Sequence, residues 1–364
     1  MARRAARAGR ARAAVREAPA AARTPVPEAP GAASERTPLV ARVFVSLSDG
    51  KFHSGEELAR SLGVSRSAVW KAARVLREQG AVLHAVRNRG YRLVGTSEPL
   101  EASRIRERLP RELRERVQRL ETLWSIASTN TALSERTGPP AGASEVLLAE
   151  HQTAGRGRRG RTWFAPPGGA ICLSLSWTFR EVPPDLGALG LVVGVCALRA
   201  LKELGVRGAV LKWPNDLLVG DRKLGGVLID LRAESAGPAS VVIGIGLNVV
   251  LGARLLERIA ESGTPATDLK RAGLPQSVSR NQVAAGVIGE CLRGLVAFEG
   301  EGLKAFLEEW RQVDALRGRQ VNVVAADGTA RGVARGIDLR GALLVETREG
   351  VRRFVSGDVS VRAG

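Results

Sequence analysis

The chain has 364 residues, of which 44% are apolar, so it can form more than one hydrophobic core and we expect two or three domains. No segment approaches the roughly 20 apolar residues of a membrane span, and the N-terminus lacks an apolar signal stretch, so we expect a cytoplasmic protein with no membrane partner. The formal charge of +18 favours a polyanionic partner, with nucleic acid the leading candidate, although a GC-rich coding bias toward arginine is the alternative.

The cysteines and histidines are scattered along the chain. Cys172, Cys196 and Cys291 form no CxxC pair, which argues against a disulfide framework and a zinc site and is consistent with a reducing cytoplasm. The histidines lack an HExxH-type partner. We therefore predict no structural metal.

Residues 1–38 consist almost entirely of Ala, Arg, Pro, Gly and Glu. Because such a segment has no hydrophobic periodicity, it cannot offset the entropy cost of ordering, and we predict a disordered tail. Its arginines would allow non-specific DNA contact. A transit peptide and an overextended start codon are the alternatives.

Residues 39–95 begin with the pattern of short helices. Apolar side chains recur at helical spacing over residues 39–47 and predict the first helix. Ser54 lies three residues before Glu57, a capping-box arrangement that predicts the start of the second helix, and Gly63 predicts its end.

A third helix is predicted from Ser65, its cap, to about Gln79. Apolar residues face inward, while the outer face is basic and hydroxyl-bearing. Two short helices joined by a tight turn match the helix-turn-helix, which inserts its second helix into the major groove. The residues predicted to contact DNA from this helix are Ser65, Arg66, Ser67, Trp70, Lys71 and Arg74.

Two strands, at about residues 82–86 and 91–94, surround a cationic turn. In this turn Arg87 and Arg89 are placed to lie along a phosphate backbone, so we predict a wing and, with the preceding helices, a winged helix-turn-helix. The alternative is a three-helix interaction module with a solvated basic face. The helix pattern and the charge together favour DNA binding.

Residues 96–316 contain core-like apolar runs separated by helical stretches, the pattern of an α/β domain. Residues 317–364 have short alternating strands separated by glycine-containing turns, which predicts a small β-barrel.

An arginine-rich loop occupies residues 155–163, with the sequence GRGRRGRTW. It contains GxGxxG, but a dinucleotide-binding turn must open a helix, whereas here a Pro-Gly segment and a strand follow. The arginines between glycines instead predict a mobile cationic loop that folds over a phosphate-bearing ligand. A flexible basic surface turn is the alternative.

Three further motifs accompany this arginine loop: Ser128-Thr129-Asn130, Lys212-Trp213-Pro214-Asn215-Asp216 and the segment 221–227. With them, the chain resembles the bacterial bifunctional biotin–protein ligases and biotin operon repressors from about Leu39 to its C-terminus. The resemblance implies a multidomain α+β protein with an N-terminal winged helix-turn-helix, a central α/β ligase domain related to class II aminoacyl-tRNA synthetases, and a C-terminal SH3-like β-barrel.

The resemblance also implies site residues. Biotin would contact Ser128, Thr129, Asn130, Gln152, Arg156, Gly157, Arg158 and Lys223. The nucleotide would contact Trp163, Lys212, Asn215, Asp216, Asn248 and Arg362. Lys223, Arg156 and Arg158 are the predicted catalytic residues, because adenylation develops negative charge that needs fixed cations and Mg²⁺. For Lys212 and Asp216, a structural role at a strand-to-loop junction is the alternative.

The implied activity is the activation of biotin with ATP to biotinyl-5'-AMP and its transfer to a lysine of the biotin carboxyl carrier protein of acetyl-CoA carboxylase or a related carboxylase. The implied DNA function is repression of biotin synthesis genes at an operator by a ligand-enhanced homodimer. No Ser–His or Cys–His arrangement is visible, so we expect no covalent enzyme intermediate. A lipoate or octanoyl ligase and a non-enzymatic ligand sensor are the competing hypotheses.

Overall fold

The computed structural model describes residues 37–94, 98–232, 239–261, 265–325, 328–355 and 360–363. Most of the predicted tail, residues 1–36, lies outside these ranges. The three regions of regular structure occur in the predicted order along the chain.

The N-terminal region has three helices and a two-stranded sheet: α1 (Leu39–Ser46), α2 (Gly55–Leu62), α3 (Arg66–Glu78), β1 (Leu83–Val86) and β2 (Gly90–Leu93). The predicted cap at Ser54 is confirmed, because its hydroxyl accepts the backbone N–H of Glu57. Gly63 ends α2 with a φ of 66°, a left-handed conformation that glycine adopts without steric cost. The Ser65 hydroxyl caps α3 as predicted. The winged helix-turn-helix prediction is therefore confirmed.

The central region is built on a seven-stranded sheet with helices packed against it. Its elements are α4 (Ala102–Arg108), α5 (Arg111–Arg114), β3 (Val117–Ile126), α6 (Thr129–Ser134), β4 (Ser144–Gln152), β5 (Ala170–Phe179), α7 (Leu189–Glu203), β6 (Ala209–Lys212), β7 (Asp216–Val219), β8 (Arg222–Arg232), β9 (Ala239–Asn248), α8 (Ala253–Glu261), α9 (Arg280–Glu301) and α10 (Leu307–Val313).

The strand order is β3-β4-β5-β9-β8-β7-β6, with β3 and β4 parallel and the other pairs antiparallel. Every residue of the interior strand β5 is buried, whereas the edge strand β3 is largely exposed or half-buried. This difference follows from position, since β5 has a neighbouring strand on each side and β3 has only one. Helices α7 and α9 form the neighbouring layer.

The C-terminal region is a five-stranded antiparallel sheet made of β10 (Gln320–Ala325), β11 (Gly328–Ile337), β12 (Leu343–Thr347), β13 (Gly350–Phe354) and β14 (Ser360–Ala363). Its apolar residues belong to the same buried cluster as the central sheet. Trp213 Nε1 donates a hydrogen bond of 2.9 Å to the Gly341 carbonyl, and a Cβ on Gly341 would lie 2.7 Å from the Ala188 Cβ. The C-terminal sheet is thus packed closely against the central region.

The N-terminal region has a hydrophobic core of its own. Trp124 of β3 packs against this core, with its ring centroid 5.3 Å from that of Phe44. A Cβ on Gly80 would lie 3.2 Å from Pro166, and a Cβ on Gly252 would lie 3.2 Å from Val82. Trp124 and these close approaches at Gly80 and Gly252 connect the N-terminal region to the central domain.

A buried ion pair links segments that are far apart in sequence. Arg280, at the start of α9, lies 2.7 Å from the Glu150 carboxylate on β4, and both side chains are almost fully buried. The same carboxylate accepts hydrogen bonds from the backbone N–H groups of Leu100 and Gly168, while Arg280 also donates to the Ala170 carbonyl. Each charged group is thus hydrogen-bonded several times, which offsets the cost of burying it.

The pair gives a stability prediction. Glu150→Gln should lower the free energy of unfolding of the central region by about 3–5 kcal/mol, because it leaves the Arg280 charge buried without a counter-charge. Urea unfolding monitored by tryptophan fluorescence measures this change, since Trp177, Trp213 and Trp310 are fully buried.

The matched control is Glu56→Gln. Glu56 pairs with Arg60 at 3.1 Å, but both side chains are 76% exposed, so the expected change is within about 0.5 kcal/mol. Equal unfolding midpoints for the two variants would contradict a structural role for the buried pair.

Candidate active site

A cavity of about 800 Å³ lies beside the central sheet. Every predicted ligand-contacting residue except Arg362 lines it, although these residues are spread over more than a hundred positions of the sequence. They are Ser128, Thr129, Asn130, Gln152, Arg156, Gly157, Arg158, Trp163, Lys212, Asn215, Asp216, Lys223 and Asn248. The structure describes Arg362 only through its backbone, which pairs with Asn322. Its assignment to the nucleotide stays a prediction.

The floor of the cavity is polar, uncharged and buried. The backbone N–H of Thr129, at the start of α6, donates to Gln152 Oε1 at 2.8 Å. The Thr129 hydroxyl lies 2.7 Å from that of Ser174, which donates to Asn130 Oδ1 at 2.7 Å. Thr129, Asn130 and Ser174 are each at most 3% exposed. Their polar groups are hydrogen-bonded to one another, to Gln152 and to Asp230, and these bonds offset the cost of burying them.

Two glycines of β9 make room for this floor. A Cβ on Gly244 would lie 2.5 Å from Asn130 Oδ1, and a Cβ on Gly246 would lie 2.5 Å from the Trp163 ring. Both distances are shorter than any ordinary contact. The positions of Asn130 and Trp163 therefore require glycine at these two positions of β9.

The arginine-rich loop is folded back on itself beside the cavity. The backbone N–H of Gly157 donates to the Arg161 carbonyl at 2.7 Å, and that of Trp163 donates to the Gly155 carbonyl at 2.9 Å. Arg159 has a φ of 56°, which is unusual for a residue with a side chain. The loop contains a single 3-10 turn at Arg158–Gly160 and leads into strand β5 without an α-helix, so the rejection of a dinucleotide-binding turn is confirmed.

Two arginines of this loop are held near the cavity. Arg156 Nη1 lies 3.2 Å from Asp230 Oδ2, and Arg158 Nη1 lies 3.4 Å from Asn215 Oδ1. Partial burial, with a smaller contribution from the neighbouring Arg159, lowers the pKa of the Arg158 guanidinium. A cation disfavoured in this way gains when an anion binds next to it.

Lys223 is the third predicted catalytic cation. Its Nζ lies 2.6 Å from Asp216 Oδ1. Its backbone N–H donates to the Pro265 carbonyl, and the Asn248 amide donates to the carbonyls of Lys223 and Thr267 at 3.3 and 2.9 Å. Asn248 therefore fixes the strand that carries Lys223, and its contact with a nucleotide stays a prediction.

The segment 213–215 forms the turn between β6 and β7. Lys212 and Asp216 are paired across this hairpin, and the Asn215 side chain donates to the Val227 carbonyl at 2.8 Å. The KWPND motif therefore has a structural role, since its residues form this hairpin and hold it against β8. The same residues line the cavity, so the structural and ligand-binding hypotheses are compatible.

Several residues that line the cavity or contact its lining lie outside the motifs used for prediction. Ser174 completes the floor, and Arg319, which precedes β10, lines the cavity and pairs with Asp221 at 3.1 Å. Asp230 contacts the arginine loop from β8. In the sequence, Asp230 is a single acidic residue within an apolar run, and this pattern does not indicate a ligand. Only the folded chain shows that these residues belong to the site.

Cys172 also lines the cavity, beside Trp163. Complete burial raises the pKa of its thiol to about 12. Because the thiolate is the nucleophilic form, Cys172 is unreactive at neutral pH. All three cysteines are free thiols.

The predicted DNA-contacting residues are all exposed on α3 and the wing. Arg74 lies over the Trp70 ring with its guanidinium carbon 5.2 Å from the ring centroid, and Arg89 lies 4.3 Å from the Phe52 centroid. Such cation–π contacts restrict the arginines without removing their charge. A basic surface on one face of α3 and on the wing is therefore available to a polyanion.

Among the residues that the structure describes, no helix is long and apolar enough to cross a membrane. No cluster of three or more potential metal-ligating side chains occurs in the same residues.

Comparisons with protein families give the class of protein. A model described as the biotin/lipoate A/B protein ligase family matches residues 123–248, which contain most of the cavity motifs. An HTH domain model matches residues 44–92, and a model of the biotin protein ligase C terminal domain matches residues 317–362. The chain is a biotin–protein ligase with a helix-turn-helix domain.

Individual relatives narrow this class. The bifunctional ligase/repressor BirA of Salmonella typhimurium is 37% identical over 317 residues, which cover 87% of this chain and 95% of the relative. The biotin--[acetyl-CoA-carboxylase] ligase of Mycobacterium tuberculosis is 33% identical over 66% of this chain and 88% of its own. The chain therefore belongs to the family of bifunctional ligase/repressors, and the implied fold is confirmed.

A solved structure supports the central and C-terminal architecture. The biotin protein ligase from Aquifex aeolicus in complex with biotin and ATP is 29% identical and aligns with a TM-score of 0.58. The alignment covers 68% of this chain and all of that one.

The contact between Gly246 and Trp163 gives a prediction for the site. Gly246→Ala should displace the Trp163 ring and weaken nucleotide binding about 5- to 100-fold, because overpacking a buried site costs about 1–3 kcal/mol. Titration of the protein with ATP, monitored by tryptophan fluorescence, measures the affinity. Gly187→Ala is the control, since no atom lies within 4 Å of its added Cβ. Unchanged ATP affinity in Gly246→Ala would argue against nucleotide binding beside Trp163.

Proposed function

We propose that this protein adenylates biotin with ATP, releases pyrophosphate, and transfers the biotinyl group to a lysine of the biotin carboxyl carrier protein of acetyl-CoA carboxylase or a related carboxylase. The observation that carries the proposal is the division of one cavity into two parts. A buried, uncharged, hydrogen-bonding floor adjoins a cluster of cations held in fixed positions.

The floor suits the ureido ring of biotin. This ring is neutral and carries both N–H donors and a carbonyl acceptor, so it needs matching polar groups and no counter-charge. Thr129, Asn130 and Gln152 supply such groups, and Ser128 lies at the start of the same helix. Gly157 of the arginine loop would close over the ligand.

The cationic part suits the phosphates. An oxygen of the biotin carboxylate attacks the α-phosphorus of ATP, the bond from that phosphorus to the oxygen bridging it to the β-phosphate breaks, and pyrophosphate leaves with the bonding electrons. Negative charge builds on the phosphate oxygens in this step, so Arg156, Arg158 and Lys223 would stabilise the transition state. Asp216 holds Lys223 in place before the substrate arrives.

The remaining assignments concern the nucleotide. Trp163 would pack against the adenylate, and Lys212, Asn215, Asp216, Asn248 and Arg362 would contact the nucleotide. We propose that ATP is used with Mg²⁺, which neutralises charge on the phosphates. The Asp216 carboxylate, which lines the cavity among the cations, is the group that fits this ion.

Transfer to the carrier completes the reaction. The uncharged amine of the acceptor lysine attacks the carbonyl carbon of the mixed anhydride, the bond from that carbon to the phosphate oxygen breaks, and AMP leaves. The arginine-rich loop would shield the anhydride from water until the carrier binds. No enzyme nucleophile is required, in agreement with the protonated Cys172 thiol.

The DNA-binding part of the proposal rests on the exposed basic face of α3 and the wing. We propose that residues 39–95 bind operator DNA, that residues 96–316 form the ligase domain, and that residues 317–364 complete it. A single helix-turn-helix covers only a half-site, so operator binding calls for a homodimer. The three free cysteines favour a reducing, cytoplasmic location.

The first test separates biotin from lipoate. Purified protein should release pyrophosphate when biotin and ATP are added, and release with lipoate but not biotin would overturn the proposal. Lys223→Ala should lower the rate of release about 100- to 1000-fold, with biotin affinity changed by less than about tenfold, since the cation acts mainly on the transition state. Lys304→Ala, at an exposed lysine outside the cavity, is the control and should keep the wild-type rate.

The second test concerns coupling between ligand and DNA. If biotinyl-5'-AMP orders the loops around the cavity, the ordering cost is met before two subunits associate, so the adenylate should strengthen dimerisation and operator binding. We expect both changes in sedimentation and operator titrations at one fixed salt concentration, because affinity for DNA depends steeply on salt. Operator affinity that does not respond to the adenylate would refute the repressor switch and leave the ligase proposal standing.

A further inference from the structure

Asp230 of β8 joins the arginine-rich loop to the floor of the cavity. Its Oδ2 lies 3.2 Å from Arg156 Nη1 and 3.1 Å from Asn130 Nδ2. Arg156 Nη1 also lies 3.4 Å from the Thr131 hydroxyl. The Asp230 side chain is 25% exposed, so its contacts are partly screened from solvent. It does not line the cavity and would act on a ligand only through its partners.

The carboxylate determines which way the Asn130 amide points. At neutral pH an aspartate carboxylate only accepts hydrogen bonds, so the Asn130 NH₂ group must face Asp230. The Asn130 carbonyl oxygen then faces Ser174, whose hydroxyl donates to it at 2.7 Å. A Cβ on Gly244 would occupy this space, so the backbone of β9 closes in on the amide from the other side.

The orientation continues along the floor. Ser174 has a single hydroxyl hydrogen, which is used on Asn130. The neighbouring Thr129 hydroxyl must therefore direct its hydrogen to Ser174, 2.7 Å away, or to Gln152 Oε1, 3.1 Å away. In both cases the oxygens of Ser174 and Thr129 keep lone pairs that accept hydrogen bonds. The floor thus presents acceptors, which complement the N–H groups of a cyclic urea.

We propose that Asp230 is a positioning residue for biotin recognition. It sets the direction of the hydrogen bonds from Asn130 through Ser174 to Thr129, and it holds Arg156 of the arginine-rich loop beside the same floor. This inference rests on the proposed function, because it assumes that the ureido ring binds at the floor.

The principal test is Asp230→Asn, which keeps the volume of the side chain, removes its charge and allows the Asn130 amide to turn over. Biotin affinity measured by isothermal titration calorimetry should fall about 10- to 100-fold, the range expected for losing a hydrogen bond to a charged group. Affinity for ATP in the absence of biotin should stay within about threefold, because Arg156 is the one of the three proposed catalytic cations that Asp230 contacts, and Arg156 acts mainly on the charge that develops in the transition state. An equal loss for biotin and ATP, or no loss for either, would overturn the inference.

The control is Asp338→Asn. Asp338 also pairs with an arginine, Arg353, but it lies in the C-terminal sheet outside the cavity. This variant should bind biotin with wild-type affinity.

A double-mutant cycle distinguishes orientation from general structural support. Asp230 and Ser174 contact different atoms of Asn130, so an effect transmitted through the amide couples them. Asp230→Asn should therefore weaken biotin binding less in a Ser174→Ala background than in the wild type. Additive losses would mean that Asp230 does not act through the floor.

An exchange variant keeps the inference testable if Asp230→Asn does not fold. Asn130→Asp combined with Asp230→Asn restores a carboxylate that accepts from Ser174 and an amide that donates to it. Asn130→Asp alone places two carboxylates in contact, so the exchanged protein should bind biotin more tightly than this single variant. Weaker binding by the exchanged protein would contradict the inference. If the wild-type protein adenylates biotin and Asp230→Asn keeps full biotin affinity, this inference alone is refuted. If the wild-type protein has no activity, the proposed function is refuted.

Discussion

The antiparallel pairing of β9 with both β5 and β8 is the constraint on which the cavity depends. In this register Gly246 lies between Cys172 of β5 and Gly226 of β8. Two glycines and a small thiol side by side leave the space that the Trp163 ring occupies. A shift of one residue would turn these positions to the opposite face of the sheet and replace them with Ile245 and Leu247, which belong to the core.

Two of the cations around the cavity are paired with carboxylates before a ligand binds. Lys223 has Asp216 as a partner, and Arg156 has Asp230. Partial burial lowers the pKa of the Arg158 guanidinium. A phosphate-bearing ligand can then bind these cations at low cost in reorganisation. They are already held near the positions where negative charge develops.

The three regions depend on each other to different degrees. The C-terminal sheet shares its core with the central sheet, and Leu316 and Arg319 at its start line the cavity. It is therefore a structural part of the catalytic unit. The N-terminal region has a separate core, which Trp124 joins to β3. Because the N-terminal region has its own core, its contacts with the central region can change while the ligase fold is kept.

The sequence by itself determined the local structure of the N-terminal region and the identity of the motifs. Ser54, Gly63 and Ser65 act within one turn of their own positions, so their effects follow from local hydrogen bonds and backbone conformation. The glycines and arginines of the loop were likewise sufficient to indicate a phosphate ligand and to reject a dinucleotide turn, because the segment that follows contains prolines.

Only the tertiary structure decided which distant residues line the cavity or contact its lining. Asp230, Ser174 and Arg319 lie in ordinary strand or loop surroundings, and nothing in their neighbours along the chain marks them. Their roles arise from contacts across 44 to 100 residues, as between Ser174 or Asp230 and Asn130, which depend on strand order and register. Periodicity reports which face of a strand is buried, but the partner on that face is selected by the packing of the whole domain.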